Sequence, residues 1–181
     1  IFLGEPKDVL SEYTAVTGKS PVPPLWSFGF WMSRITYESE QQVRTVADQL
    51  REHEIPADVI HLDTGWFETE WRNNYKFAPS RFDDPAGMMS DLNDQGFHLS
   101  LWQLPYFTTK NDLFDTIVEN DYAVTNRGGE RPFESAILDF SDPDAVDWYE
   151  GKLTGLLEQG VSVIKADFGE NAPWHGVYES G

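Results

Sequence analysis

Four short apolar runs alternate with helical patterns along this chain, and that alternation leaves few folds open. The runs are Leu25-Trp26-Ser27-Phe28-Gly29-Phe30-Trp31, Asp58-Val59-Ile60-His61-Leu62-Asp63, His98-Leu99-Ser100-Leu101-Trp102-Gln103-Leu104 and Val161-Ser162-Val163-Ile164-Lys165-Ala166-Asp167. Each has the length of a strand and the near-continuous apolar character of one buried on both faces. Helical signals separate them. Val43, Val46, Ala47 and Leu50 recur at i, i+3, i+4 and i+7, with Ser39 or Thr36 as cap and Pro56 beyond the end. Asp84-Pro85 opens a second such helix over Met88, Met89 and Leu92, closed by Gly96, and Asn111 or Asp112 opens a third over Leu113, Ile117 and Val118. Ser141-Asp142-Pro143 places a capping residue before Pro at the first helical position, and Val146, Tyr149, Leu153, Leu156 and Leu157 form the apolar face of the fourth. Residues 6–17 add a short leading helix stopped by Gly18, and Pro21, Pro23 and Pro24 impose an extended approach to the first run. Residues 64–82 and 121–135 read as loops, and Ala136 to Phe140 as a brief extended piece.

A strand that returns through a helix pairs in parallel with the next one. A doubly wound sheet and a barrel both satisfy that rule. No Gly-rich phosphate loop follows the first run, so a dinucleotide site has little support. Asp63, Trp102 and Asp167 each stand near the carboxyl end of a different run. Functional groups converging from several strand ends are what a TIM barrel provides. The expected fold is therefore α/β, a parallel (β/α)8 barrel with about its first four units spread over residues 1–181. Strands are expected near 25–31, 58–63, 98–104 and 161–167. A complete barrel needs eight units and ~250 residues, so the later barrel strands are expected to be absent.

Charge narrows the partners. The chain carries 31 acidic and 13 basic residues for a net charge of −18, and no cysteine. A phosphate backbone or an anionic bilayer would be repelled, which argues against nucleic acid and membrane partners. The acids are dispersed, as in a solvated acidic surface; adaptation to high salt is one reading and ordinary acidity the other. Ile1-Phe2-Leu3-Gly4-Glu5-Pro6 lacks the pattern of a secretory leader and an initiating Met. That start reads as a segment of a longer chain, with a cytoplasmic location as the default expectation.

The strand-end residues carry the chemistry. Lys165 and Asp167 are two apart and face the same side of their strand. Placed in an apolar run, they are either a structural ion pair or a carboxylate kept ionised to act as nucleophile. Asp63, before Thr64-Gly65, is either a turn residue or a carboxylate that binds sugar hydroxyls. Trp102 is either core or a wall for a pyranose ring, and Trp31, Trp66 and Trp71 extend the same choice. Glu170 sits in the loop after Asp167, where an orienting role suits it better than that of partnering acid. His61 lies two residues before Asp63, but no second His stands at ligand spacing. A carboxylate metal site from Asp63, Asp139 and Asp167 stays open on spacing alone.

Ile164-Lys165-Ala166-Asp167-Phe168-Gly169-Glu170 resembles the nucleophile motif of glycoside hydrolase family 31. Pro-Pro-Leu-Trp-Ser-Phe-Gly-Phe-Trp at 23–31, His-Leu-Asp-Thr-Gly-Trp-Phe at 61–67, Leu-Trp-Gln-Leu-Pro-Tyr at 101–106 and Asp139-Phe140-Ser141-Asp142-Pro143 follow the family's order, so the likeness covers nearly the whole chain. The resemblance implies that Asp167 is the nucleophile of a retaining α-glycosidase. It implies that Asp63 binds hydroxyls in the −1 subsite, with Trp102 and Lys165 lining the same pocket. The Lys-x-Asp-Phe-Gly-Glu form and the Trp-Phe after Asp63 look most like α-xylosidases, with α-glucosidases the neighbouring class. The substrate implied is an oligosaccharide or other α-glycoside, and no cofactor is implied. The family's acid/base lies on a later strand, and its usual flanking β-domains are likewise expected to be absent here, so the chain by itself is expected to be inactive or nearly so. Its unpaired barrel edges are expected to favour self-association.

Overall fold

The computed structural model describes residues 1–132 and 135–181. A four-stranded parallel sheet in the order β1-β2-β3-β6 is its frame, built from β1 (Trp31–Arg34), β2 (Val59–Leu62), β3 (His98–Gln103) and β6 (Val163–Ala166). The register runs Met32 to Ile60 to Leu99, and Leu101 to Ile164, so the strands advance in step with their carboxyl ends on one rim. α2 (Glu40–Glu52) returns the chain from β1 to β2, and α3 (Pro85–Asp94) from β2 to β3. Between β3 and β6 lie a short antiparallel hairpin of β4 (Tyr106–Thr108) and β5 (Ser135–Ile137), α4 (Phe114–Glu119) inside its connection, and α5 (Pro143–Glu158). α1 (Pro6–Thr17) precedes the sheet, ends at Gly18 as expected, and buries none of its residues.

The helices start where their caps place them. Ser39 Oγ accepts the Gln42 N–H, Asp84 accepts from Gly87, and Asp142 from Asp144, with Pro opening both α3 and α5. The expected face of α2, Val43, Val46, Ala47 and Leu50, is buried against the sheet. All four residues of β2 are buried, as are five of the six of β3. Ile60, Leu62 and Leu101 are essentially inaccessible, and burying each such side chain contributes about 1.5–3 kcal/mol. Among the described residues no helix is long and apolar enough to cross a membrane.

Three expectations need correction. The run at 25–31 is not a strand: Leu25–Phe28 form a 3-10 turn, and β1 begins only at Trp31 and continues through Ser33 and Arg34. The aromatic run misleads because Leu25 and Phe28 remain mostly exposed, so its apolar character does not report two-sided burial. In α5 Ala145 and Leu156 are fully buried and the expected Tyr149 and Leu153 pack against the core beside them, whereas Leu157 faces out. The extended piece at 136–140 is shorter than expected and pairs with β4, which follows Pro105 with no apolar periodicity to announce it. Of the loop expected at 121–135, residues 133–134 lie outside the described residues.

Candidate active site

Asp63 and Asp167 come directly after the helical-return strand β2 and the last strand β6, on the carboxyl-terminal rim of the sheet. The register pairs Trp102 with Lys165, and the Asp167 N–H still bonds to the Gln103 carbonyl, so the ladder carries the carboxylate to the rim. Lys165 lies between the two acids. Its Nζ stands 3.0 Å from Asp167 Oδ2 and 3.5 Å from Asp63 Oδ2. The indole N–H of Trp102 donates to the same Asp167 oxygen at 2.7 Å, and the Phe168 N–H to the other at 2.9 Å. The hydrogen bonds from Trp102 and then Lys165 outweigh partial burial and hold the Asp167 carboxyl below the usual carboxylate range. Burial works against the Lys165 charge, but the hydrogen bond it donates to Asp167 and the two negative charges prevail and raise its pKa. The arrangement presents an ionised, partly exposed carboxylate next to a cation.

Asp63 is more enclosed. Its Oδ1 accepts the Thr64 N–H at 3.0 Å, and its Oδ2 meets His61 Nε2 at 3.1 Å as well as Lys165. The turn after it, Thr64–Trp66, is fully buried. Gly65 permits that close packing: a Cβ there would fall 3.0 Å from the Thr36 Cα and closer still to its side chain.

The aromatic residues divide. Trp102 is buried yet reaches Asp167. Trp71 is half exposed and stands edge-on to Trp102, with Phe168 against both rings and Tyr106 beside it. Trp66 is enclosed in the core and donates its N–H to the Trp102 carbonyl at 2.8 Å, so it supports Trp102 from behind and presents no free face. Trp31 pairs with Val59 at the amino end of the sheet, on the rim opposite Asp63 and Asp167. The expectation that Trp31 and Trp66 line the pocket therefore fails on geometry, while Asp63, Trp102, Lys165 and Asp167 are brought together. Asp139 does not join them: its oxygens accept from Ser141 and the Glu179 N–H. Among the described residues no three acidic or histidine side chains form a metal-ligating group.

Two features went unread in the sequence. Tyr106 Oη accepts the N–H groups of Gly169 and Asn171, at 2.6 and 2.9 Å, and so pins the turn after Asp167. Phe168 in that turn holds φ +59°, a left-handed conformation uncommon outside glycine, and Trp71 holds φ +67°. The only available signal was Gly169 after an aromatic residue at a strand end, which marks a turn but not what secures it.

Residues 20–180 match the family model described as the glycosyl hydrolases family 31 TIM-barrel domain. The chain is 37% identical over 177 residues to the α-xylosidase XylQ of Lactiplantibacillus pentosus, an alignment covering 93% of this chain and 23% of that protein. It is 31% identical over 185 residues to α-glucosidase 2 of Bacillus thermoamyloliquefaciens, covering 94% of the chain and 22% of the relative. The solved family 31 dextranase of Flavobacterium johnsoniae, complexed with glucose, superposes with a TM-score of 0.83 at 28% identity over 97% of this chain and 23% of that one. The chain thus spans less than a quarter of the length of these relatives. The parallel strands, their common rim and these likenesses agree: the chain belongs to glycosyl hydrolase family 31 and carries part of its TIM-barrel domain.

Proposed function

We propose that this segment supplies the nucleophile side of a retaining α-glycosidase, with an α-xyloside as preferred substrate and α-glucosides as the neighbouring class. The observation that carries the proposal is the Asp167 carboxylate, held ionised by Trp102 and Lys165 at a barrel strand end and still partly open to solvent. In the first step an Asp167 oxygen attacks the anomeric carbon, forming an ester bond as the glycosidic C–O bond breaks. The leaving oxygen takes a proton from a second carboxylic acid, set ~5–5.5 Å from the nucleophile in retaining enzymes. That acid is proposed to stand on a later barrel strand. Water, deprotonated by the same group, then cleaves the ester and releases the sugar with its original configuration. Asp63 would accept hydrogen bonds from sugar hydroxyls, Lys165 would balance the paired carboxylates, and the exposed Trp71 and Phe168 rings, packed on Trp102, would wall the apolar face of the sugar. The α-xyloside preference rests on the XylQ likeness and on a second relative named α-xylosidase, from Emericella nidulans, at 31% identity.

The test uses the full-length protein that carries this segment. Incubation with 5-fluoro-α-xylosyl fluoride, and separately with its glucosyl counterpart, followed by peptide mass spectrometry, is expected to place the label on the peptide holding Asp167. An Asp167→Ala variant should take none. Turnover with the label on another residue would sink the nucleophile assignment. Binding of xylose without turnover or label would favour a carbohydrate-binding barrel instead.

A further inference from the structure

His61 is a buried imidazole that the proposed double displacement leaves without a task. It sits in the middle of the fully buried β2, between Ser100 of β3 and Asp63. Its Nδ1 lies 2.9 Å from Ser100 Oγ and its Nε2 lies 3.1 Å from Asp63 Oδ2. Proton bookkeeping settles the direction of both bonds. An ionised carboxylate only accepts, so Nε2 carries the proton. Burial then pushes the His61 pKa down and outweighs the raising effect of Asp63, which keeps the ring neutral and Nδ1 unprotonated. Ser100, a hydroxyl that can turn either way, must donate to Nδ1. The opposite tautomer would set a lone pair against the carboxylate.

We propose that His61 is a positioning residue, set in its Nε2–H tautomer by the carboxylate and held in place by Ser100, that orients Asp63 and through it the shared Lys165. The geometry supports this in a second way. Among the described residues Asp63 Oδ1 is held by the amide of the next residue alone, a local bond that leaves the setting of the carboxylate plane to the donors on Oδ2. Lys165 is 46% exposed and at 3.5 Å is a loose partner for Asp63. Among the described residues the imidazole is the buried donor on Oδ2, and Ser100 holds it across the β2–β3 ladder. Without it the carboxylate can swing toward Lys165, which draws the ammonium away from Asp167. The proposal rests on the assignment of Asp63 to sugar binding, and its test is arranged to separate the two.

The discriminating variants are His61→Gln and His61→Asn in the full-length protein. A glutamine amide can place its NH2 where Nε2 stands, whereas an asparagine amide reaches only the Nδ1 position. His61→Gln is expected to keep kcat/KM on an aryl α-xyloside within about threefold of the parent. His61→Asn is expected to lose about 10–100-fold, the range for a hydrogen bond to a charged group. Ser100→Ala, a smaller change that should fold normally, is expected to fall between them because it removes the ring's second anchor. Calorimetric binding of xylose to the same variants should follow the same order. Equal loss in the Gln and Asn variants, or no loss in either, overturns the positioning role even if the label still appears on Asp167. If the parent is labelled elsewhere than Asp167, the nucleophile assignment fails, and the xylose affinities of the Gln and Asn variants alone decide for or against His61.

Discussion

The two strand-end carboxylates are built on one plan and finished differently. At each, Oδ1 accepts the N–H of the residue that follows, and Oδ2 accepts a ring N–H together with Lys165. For Asp63 the ring is His61, on its own strand; for Asp167 it is Trp102, on the neighbouring strand. The side chain of Asp63 is 14% exposed and leads into a buried turn, whereas that of Asp167 is 37% exposed and leads into the left-handed Phe168. An identical set of donors thus yields one anchored carboxylate and one presented carboxylate. Enclosure, rather than the number of hydrogen bonds, separates the two. An indole N–H suits the presented one, because it donates at every pH and competes for no proton.

The largest expected effect comes from removing the presented carboxylate. Asp167→Ala in the full-length protein should lower kcat/KM by about 10⁴-fold or more, as loss of a nucleophile does. Steady-state kinetics on an aryl α-xyloside measures it. A loss below tenfold would erase the distinction between the two acids as far as chemistry is concerned.

How much of this pairing can be seen without coordinates follows from which contacts are local. Lys165 and Asp167 are two apart on a strand, so period-2 alternation alone puts them together, and the structure finds them at 3.0 Å. β2, β3, β6, α2, α3 and α5 were legible because apolar period and caps agree along them. The bond from Trp102 to Asp167 spans 65 residues, and the one from Ser100 to His61 spans 39. Both depend on strand register, which no local pattern in these runs specifies. The same limit explains the errors. Leu25 and Phe28 have the composition of a buried strand and the exposure of a surface turn, and only the partner surface decides between them. Trp66 and Trp102 are both buried tryptophans near strand ends, yet one supports the other and only the second reaches Asp167, a difference in partners that composition does not encode.

Lys165 is the group the two acids share, so its removal should unbalance both. Lys165→Met is expected to reduce kcat/KM by about 10²–10³-fold, comparable to loss of one strong electrostatic contact in an active site. It should also move the acid limb of fluoride labelling upward in pH. The sign follows from the cause: Lys165 helps Trp102 lower the Asp167 pKa, and a protonated Asp167 does not attack. Without Lys165 the carboxylate takes its proton at a higher pH, and labelling fails sooner on acidification. A limb that stays in place would mean that the lysine serves Asp63 alone.

Trp102→Phe keeps the ring and removes one donor. A fall in kcat/KM of about 10–100-fold is expected, the value of a hydrogen bond to a charge. The acid limb should shift in the same direction as for Lys165→Met. Xylose affinity should change far less than kcat, because the lost bond is to the proposed nucleophile and the rings proposed to wall the sugar survive. Equal losses in affinity and turnover would instead place Trp102 mainly in sugar binding.

The smallest effect tests enclosure itself, through stability rather than activity. An asparagine offers one oxygen and one NH2, so at either site it must set the NH2 against the Lys165 ammonium or against a backbone N–H. At Asp63 the donors are the Thr64 amide on one side and His61 with Lys165 on the other, in a nearly closed setting. Asp63→Asn should therefore cost about 1–3 kcal/mol in chemical denaturation, the penalty of a mispaired buried polar group. At Asp167 the same mismatch arises, but water can reach the amide and relieve it. Asp167→Asn should stay within about 0.5 kcal/mol of the parent, as exposed substitutions do. Equal costs at the two positions would show that the shared donor set, and not burial, governs both carboxylates, and the contrast between an anchored and a presented acid would have to be given up.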